Sequence, residues 1–298
     1  MSLDSVIASA GQYVPASVLE PLLRASLQEL RVALCFHRVA EVRRATDWQP
    51  SLSIPPVELD ALLGLLVRTR EDTPGPWLTV TFDDGYADAA AYIESRAPRF
   101  PSVEWLFFVC PQKTERSVGY RWDLIERAQG TVADFHEGMD VAGENLRPEL
   151  GRLGLEPDFA LATVEDCRRL AKLANVQLGN HTNCHFRQTF LSVEAAQQEC
   201  ERSAEDFERL FGPQSHFAFP FGSPGHQFGP EHVALVRQRG PGLIWSTERR
   251  PFRGSERVPG AVLPRYPMDG TRGYRQLALG LAAWALAFRA RGTRHLFP

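Results

Sequence analysis

The feature that most constrains this chain is a series of short apolar segments, several of which are followed directly by polar, reactive side chains. Strand-like runs alternate with helical patterns along the sequence, and this alternation predicts a parallel sheet. Because there are seven such runs, we expect the sheet to close into an α/β barrel. The predicted strands are 32–36, 77–82, 103–109, 176–178, 217–219, 243–246 and 262–266. The predicted helices are 14–30, 56–68, 86–96, 163–174, 192–211 and 230–239.

The chain is predicted to hold one large domain with a helical extension at each end. Its 298 residues are 44% apolar and 23% charged, which is enough for a sizeable core, and no Gly/Ser-rich linker divides them. We predict an N-terminal helical extension at 1–31, a barrel at 32–270 and a C-terminal helix at 271–298. The long irregular connection at 124–160 is expected to form an insertion or a lid.

Charge and cysteine usage exclude several classes of protein. The formal charge is −3, from 33 basic and 36 acidic residues, so no general cationic field for nucleic acid is present. Five widely spaced cysteines without a Cys-x-x-Cys motif suggest neither a disulfide framework nor a four-thiolate zinc site.

No secretory signal is visible at the N-terminus, and the longest uncharged apolar stretch, 277–288, is short for a membrane span. We therefore predict a cytoplasmic protein. Arginines flank that stretch on both sides, which suggests either peripheral contact with an anionic membrane or a closing helix or dimer contact. The oligomeric state is left open.

Polar clusters follow five of the predicted strands. They are His37, the Asp83-Asp84-Gly85 turn, the segment 181–185, the segment Pro220-Phe221-Gly222, and Arg265. In an α/β barrel the carboxyl ends of the strands meet at one rim, where reactive residues gather. The five clusters are therefore expected to share one site.

Two of these clusters have the composition of a metal site. His181 and His185 are four residues apart, which in a helical turn places both imidazoles on one face. Taken alone, the pair is also compatible with surface or capped core histidines. Asp83 and Asp84 strengthen the metal interpretation, because a turn explains one Asp and the Gly but not the second carboxylate. Two His and one Asp suit Zn²⁺ or another divalent first-row metal with an open position, whereas Cys184 is expected to serve packing.

The motifs TFDDGYAD (81–88), GNHTNCH (179–185), FAFPFG (217–222) and LPRYPM (263–268) together resemble the polysaccharide deacetylase family, carbohydrate esterase family 4. The likeness extends from about residue 32 to 268. It implies a distorted (β/α)₇ barrel that removes acetyl groups from N-acetylated sugars with the help of a divalent metal ion. Zn²⁺ is favoured, with Co²⁺, Ni²⁺, Mn²⁺ and Fe²⁺ as alternatives.

The resemblance also implies a role for each matching position. It assigns a general base, three metal ligands, an oxyanion donor and an arginine that orients the base. These are Asp83 as the base; Asp84, His181 and His185 as ligands; the backbone N–H of Phe221 as the donor; and Arg265 as the orienting residue.

The sequence departs from the family pattern at two places. Phe217 and Phe219 stand where many members have an arginine, and the PFG form is similar to the branch that acts on exopolysaccharides or other bacterial glycans. The late Leu-x-His that supplies the general acid in many members is absent. His37, His216, His226 or a metal-bound water are then the candidates for that acid.

Two other functions stay open at the level of sequence. One is hydrolysis of a different non-peptide C–N bond on the same fold. The other is a glycan-binding pseudoenzyme that retains the groove. The expected partner in either carbohydrate interpretation is an N-acetylated glycan.

Overall fold

The computed structural model describes residues 11–40, 50–70, 76–117, 119–120 and 160–291. The predicted insertion or lid at 124–160 lies outside these residues, apart from its last position. The domain boundaries drawn from the sequence stay predictions.

A nearly closed barrel of parallel strands forms the centre of the molecule, as expected. Its strands are almost completely buried, which accounts for their continuous apolar sequences, since helices or core cover both faces. The strands are β1 (Leu30–Phe36), β2 (Leu78–Phe82), β3 (Val103–Val109), β4 (Val176–Asn180), β5 (His216–Ala218), β6 (Leu243–Ser246), β7 (Ala261–Pro264) and β8 (Tyr266–Pro267). Outside the parallel barrel, Arg38–Val39 pairs with Ser53–Ile54, and Phe252–Arg253 pairs antiparallel with the start of β1.

The barrel closes through a strand that is interrupted at one residue. Strands β1 to β6 are hydrogen-bonded in chain order, and β7 pairs in parallel with β6. After Arg265 the chain continues as β8, which pairs in parallel with β1, so that Tyr266 lies opposite Leu34. β7 and β8 thus act as one kinked seventh strand, and the (β/α)₇ architecture is confirmed. Arg265 occupies the kink.

The helices agree closely with the predicted segments, and α4 is an additional short one. Local sequence explains some of the starting points: Thr163 and Asp166 form a reciprocal capping box at the start of α5, and Ser192 caps α6. The helices are α1 (Ala16–Leu27), α2 (Pro56–Thr69), α3 (Ala87–Arg96), α4 (Pro111–Arg116), α5 (Val164–Leu170), α6 (Val193–Phe211), α7 (Pro230–Gln238) and α8 (Tyr274–Arg291).

Alternation along the strands divides the core into two main layers. Ala33, Leu106 and Trp245 belong to a cluster within the barrel. Phe82 and Trp105, whose rings are stacked 6.5 Å apart, belong to the larger cluster between the strands and the helices. This division leaves the ends of the strands as the place where polar groups can gather.

The two terminal helices pack together beside the barrel. The buried side of α8 lies against α1 and α2 and contributes, among others, Leu277, Leu281 and Ala285 to the larger core cluster. Within the described part of the chain, none of the helices combines the length and the apolar character that crossing a membrane requires.

Candidate active site

A pocket of about 360 Å³ lies at the carboxyl-end rim of the barrel. It collects side chains from the ends of most of the strands, as the positions of the polar clusters in the sequence predict. Its walls are His37, Leu52, Asp83, Asp84, His181, His185, Phe221, Gln227, Thr247 and Pro267.

The end of β2 brings both aspartates to the pocket. The Asp83 backbone N–H donates to the Phe36 carbonyl at 2.9 Å and so continues the sheet pairing for one more residue. At Asp84 the backbone turns into the left-handed region with φ 70°, followed by Gly85 with φ 71°. Asp is among the few residues that adopt this conformation readily. The Asp-Gly turn therefore places two consecutive carboxylates in one pocket, where both are buried.

Asp84, His181 and His185 converge on one point. The Asp84 Oδ1 atom lies 3.0 Å from His185 Nε2 and 3.4 Å from His181 Nε2, and all three residues are buried. One possible ligand atom from each lies within 4.8 Å of the other two. Burial raises the pKa of Asp84, but the imidazoles of His185 and His181 outweigh this effect and hold the pKa well below its ordinary value.

The surroundings of His181 fit a metal ligand. Its Nδ1 lies 2.8 Å from the Ala218 carbonyl oxygen. Because a carbonyl only accepts hydrogen bonds, Nδ1 must carry a proton, and Nε2, which faces Asp84, is the nitrogen that a metal ion would take. Fixing the tautomer of a ligating histidine through a backbone carbonyl is a common feature of metal sites. A divalent cation therefore suits this donor set.

The loop that carries the two histidines is not the helical turn that their spacing suggests; that expectation is wrong. Thr182 and His185 both have φ 63°, and these left-handed residues turn the two imidazoles toward the same point. The loop is held from α6, where Glu199 Oε1 accepts hydrogen bonds from the backbone N–H groups of Asn183 and Cys184 at 2.9 and 2.7 Å. Sequence reasoning missed Glu199, because its position within a helix gives no sign of the contact.

Cys184 is not part of the cluster of Asp84, His181 and His185. Its Sγ atom is 3.3 Å from Gln112 Oε1, on the side of α4. The thiol therefore contributes packing and a weak hydrogen bond between the loop and that helix.

Arg265 holds the other aspartate of the pair. Its fully buried guanidinium makes two hydrogen bonds to the Asp83 carboxylate, one of them at 2.9 Å from Nη2 to Oδ2. The Thr81 hydroxyl accepts a third hydrogen bond at 3.0 Å, and the Phe108 ring lies 5.1 Å from the guanidinium carbon. Burial raises the pKa of Asp83, but the Arg265 charge outweighs it, so the pKa lies below the ordinary value. Asp83 is thus an oriented carboxylate beside the cluster of Asp84, His181 and His185, 3.8 Å from His181 Nε2.

Phe221 forms one wall with an unusual backbone. Its φ is 60°, a rare value for a bulky residue, and its ring contacts His185 edge-on with centroids 5.1 Å apart. Thr247 fixes the segment, since its hydroxyl donates to the Phe221 carbonyl at 3.0 Å and its N–H to that of Gly222 at 2.6 Å. A Cβ on Gly222 would lie 2.6 Å from Thr247 Cγ2, so this contact requires glycine. The Phe221 N–H makes no hydrogen bond to any residue that the structure describes.

The three histidines considered as general acids lie in different places. His37 lines the pocket. His216 lies on β5 away from it, where Nδ1 accepts from Trp245 Nε1 at 3.1 Å and Nε2 lies 3.0 Å from Gln177 Oε1. His226 is exposed and does not line the pocket.

The phenylalanines of the FAFPFG motif pack into a side cluster of the core. Phe217 and Phe219 are in contact, with centroids 4.9 Å apart, and Phe219 stacks on Phe228 at 4.1 Å. This region is therefore apolar in the present protein.

A parallel barrel with carboxylates and imidazoles at its carboxyl-end rim defines an α/β-barrel protein with a candidate metal centre. The chain matches the family model described as polysaccharide deacetylase over residues 70–237, more than half of its length, and it belongs to that family. No curated protein matches the chain significantly.

Several solved structures share the fold at low sequence identity. A de-N-acetylase from Aggregatibacter actinomycetemcomitans is 13% identical, with a TM-score of 0.59 over 85% of this chain and 100% of its own. The Streptococcus pyogenes deacetylase PplD, in complex with acetate, is 11% identical, with a TM-score of 0.56 over 85% of this chain and 98% of its own. IcaB from Ammonifex degensii is 21% identical, with a TM-score of 0.50 over 86% of this chain and 97% of its own.

Proposed function

We propose that this protein is a metal-dependent hydrolase that removes acetyl groups from an N-acetylated sugar of a glycan. The observation that carries the proposal is the convergence of Asp84, His181 and His185 in one pocket, beside a separate carboxylate that Arg265 orients. Family membership supports the reaction class, and two de-N-acetylating or deacetylating proteins share the fold.

In this proposal Asp84, His181 and His185 hold the metal, for which Zn²⁺ is the favoured ion. When bound, the metal supplies a Lewis acid for the acetamido carbonyl and lowers the pKa of a water to about 7. The hydrogen bond from His181 Nδ1 to the Ala218 carbonyl leaves Nε2 as the nitrogen that would bind the ion. Asp84 offers Oδ1, the atom that faces both imidazoles.

Asp83 acts as the general base. Both of its oxygens accept hydrogen bonds from Arg265, which keep the carboxylate ionised and fix its plane. From this position it accepts the proton of the attacking water as the C–O bond forms. Arg265 is therefore a positioning residue, since it acts through Asp83.

Phe221 and His37 complete the proposed mechanism. The backbone N–H of Phe221 lies in the pocket wall without another acceptor, so it is available to the oxyanion of the tetrahedral state. The departing sugar amine needs a proton, and among His37, His216 and His226 the first alone lines the pocket. Burial lowers the pKa of His37, so it starts neutral, and we assign to it the transfer to the amine of the proton that Asp83 has accepted from the water.

The two adjacent aspartates provide the sharpest test. Asp84→Asn, His181→Ala and His185→Ala are expected to lose metal, because the site has only three protein ligands. Asp83→Asn is expected to retain metal while kcat falls by roughly 10²–10⁴-fold, the usual loss on removal of a general base. The measurement is metal content beside acetate release from N-acetylglucosamine oligomers, with the exposed His226→Ala as a control.

Three outcomes would contradict the proposal. Metal loss in Asp83→Asn but not in Asp84→Asn would reverse the two roles. Unchanged turnover in Asp83→Asn would remove the general-base assignment. Tight metal binding without acetate release by the wild type would favour a glycan-binding protein or a hydrolase of another C–N bond.

A further inference from the structure

Arg187 has a cationic side chain that the proposed mechanism does not use. Its guanidinium carbon lies 4.6 Å from the centre of the Phe190 ring and 5.2 Å from the centre of the Phe221 ring. Its Nε atom is buried and has no hydrogen-bond partner, and the side chain forms no ion pair with any carboxylate that the structure describes. Two aromatic rings thus hold an uncompensated cation in place.

The position of Arg187 relative to the pocket follows from Phe221. One ring contact of Phe221 is with the proposed ligand His185, and another is with Arg187. The guanidinium is therefore one aromatic ring away from the proposed metal centre. A charged group attached to the sugar in the pocket, or to the next sugar unit, can therefore reach the Arg187 guanidinium.

The short turn Gln188–Phe190 ties Arg187 to a second pocket residue. The Thr189 N–H donates to the Gln227 carbonyl at 3.2 Å, and the Thr189 hydroxyl donates to the His226 carbonyl at 2.9 Å. Gln227 lines the pocket, and its buried Oε1 has no hydrogen-bond partner among the described residues. At the end of this turn, Phe190 is 59% exposed. The unsatisfied amide of Gln227 thus belongs to the pocket wall, and Arg187 and Phe190 lie next to that wall, joined to it through Phe221 and the Gln188–Phe190 turn.

We propose that Arg187, Gln227 and Phe190 form an accessory subsite for an anionic group linked to the N-acetylated sugar, either on the next sugar unit or as a phosphate ester on the sugar itself. A guanidinium stacked between rings keeps its in-plane N–H donors available and binds carboxylate or phosphate oxygens in a fixed geometry. A buried polar atom without a partner is costly, and a ligand that pairs with it recovers that cost. Gln227 accepts from a sugar hydroxyl, and the Phe190 ring packs against the apolar face of the neighbouring unit.

This inference rests on the proposed function in one respect, since it takes the sugar in the pocket to be N-acetylated. It adds the substrate class: a glycan in which an N-acetylhexosamine is linked to an acidic group. That group is either the carboxylate of a uronic acid or a phosphate ester on the sugar.

The test compares three probes on the metal-loaded full chain. They are a neutral N-acetylglucosamine tetramer, a hyaluronan tetrasaccharide that carries uronic carboxylates, and N-acetylglucosamine 1-phosphate. We expect Arg187→Gln to lower the ratio of kcat/KM for an acidic probe to that for the neutral one by at least about tenfold, mainly through KM, because a charged hydrogen bond is lost. The ratio for Arg187→Lys should lie between those of the wild type and Arg187→Gln, since lysine keeps the charge but not the planar guanidinium.

Arg202→Gln is the matched control, because Arg202 is exposed on α6, whereas Arg187 contacts the pocket residue Phe221, and the loss of either arginine changes the net charge equally. It should leave the ratio unchanged. The acidic probe that shows the larger Arg187-dependent effect identifies carboxylate or phosphate as the bound group. An equal loss on all three probes would show that Arg187 merely supports Phe221, and an unchanged ratio would also overturn the inference.

Calorimetric binding separates this inference from the proposed function. A protein that releases no acetate but binds an acidic probe at least tenfold more weakly after Arg187→Gln retains the subsite and loses the proposed reaction. Acetate release with a ratio that Arg187→Gln does not change retains the reaction and rejects the subsite.

Discussion

At the scale of single residues, the site concentrates backbone conformations that side chains seldom adopt. Asp84, Thr182, His185 and Phe221 all have φ between 60° and 70°, and all lie in or directly beside the pocket. Each left-handed residue with a Cβ costs on the order of 1 kcal/mol, so the surrounding contacts must hold it. Thr247 and Glu199 supply such contacts, through hydrogen bonds to the backbone on either side of the pocket. Backbone turns thus contribute directly to the positions of the proposed reactive groups.

The buried pair of Asp83 and Arg265 leads to a prediction at this scale. Arg265→Met leaves a buried carboxylate without its partner, and such a change costs about 3–5 kcal/mol of unfolding free energy. Combining Arg265→Met with Asp83→Asn should recover part of the loss, since the unpaired charge is then gone. Urea unfolding measures both.

The exposed pair of Arg169 and Glu94 is the control. Arg169→Met should change stability too little to resolve, because solvent screens that pair. Acetate release should fall in Arg265→Met with metal content retained. Equal unfolding free energies for Arg265→Met and Arg169→Met would contradict the stabilising role assigned to the buried pair of Asp83 and Arg265.

At the scale of elements, the strands and most helices could be predicted from local sequence, and the site loop could not. Buried strands in a parallel barrel are continuous apolar runs, and the seven predicted runs therefore fall on the seven barrel strands. The conformation of 181–185 depends instead on Glu199, fourteen residues away along the chain, which accepts from the loop backbone. Likewise, the continuation of the last strand as β8 depends on pairing with β1, which no local pattern records.

The contact between α6 and the site loop predicts an effect on metal affinity from a residue that is no ligand. Glu199→Ala removes the acceptor of two backbone N–H groups and loosens the loop that carries His181 and His185. We expect metal affinity to fall by about 10–100-fold, as for other residues that support ligands. Glu205→Ala, an exposed change on the same helix, should leave it unchanged. Competitive titration with a chelator measures both, and equal affinities would show that the loop holds itself.

Strand β5 carries a histidine that makes the barrel sensitive to acid. Burial lowers the pKa of His216 from 6.5 to about 4. Between pH 6.5 and pH 4 the unfolded chain binds a proton at this histidine that the folded protein does not. The unfolding free energy is therefore highest above pH 6.5 and decreases as the pH falls toward 4. The loss reaches about 3 kcal/mol at the lower end.

His216→Gln should be less stable at neutral pH but should lose less stability than the wild type between pH 6.5 and 4.5. His226→Gln, a change at an exposed histidine, should follow the wild-type curve. Chemical unfolding at a series of pH values provides the comparison. Parallel curves for the wild type and His216→Gln would show that His216 does not titrate differently on folding.

At the scale of the whole molecule, the first and the last of the described α-helices meet beside the barrel. The first strand receives β8 near the end of the chain, and α8 then packs against α1 and α2. The C-terminal segment, with its apolar centre and arginine flanks, is compatible at the sequence level with a membrane-surface helix or a packed one. The arrangement of α8 shows that much of its apolar surface is already covered by α1 and α2, a contact that depends on the complete fold.

Two leucines on α8 allow the roles of its two sides to be measured separately. Leu281 is 3% exposed and packed in the core, whereas Leu286 is 47% exposed. Leu281→Ala should lower the unfolding free energy by about 2–5 kcal/mol, and Leu286→Ala by less than about 1 kcal/mol, because only the first leaves a cavity. Co-sedimentation with anionic vesicles tests the predicted membrane contact on the same pair, since a surface-bound helix would depend on Leu286 rather than Leu281. Similar unfolding free energies for the two variants would show that α8 is attached to the barrel without stabilising it.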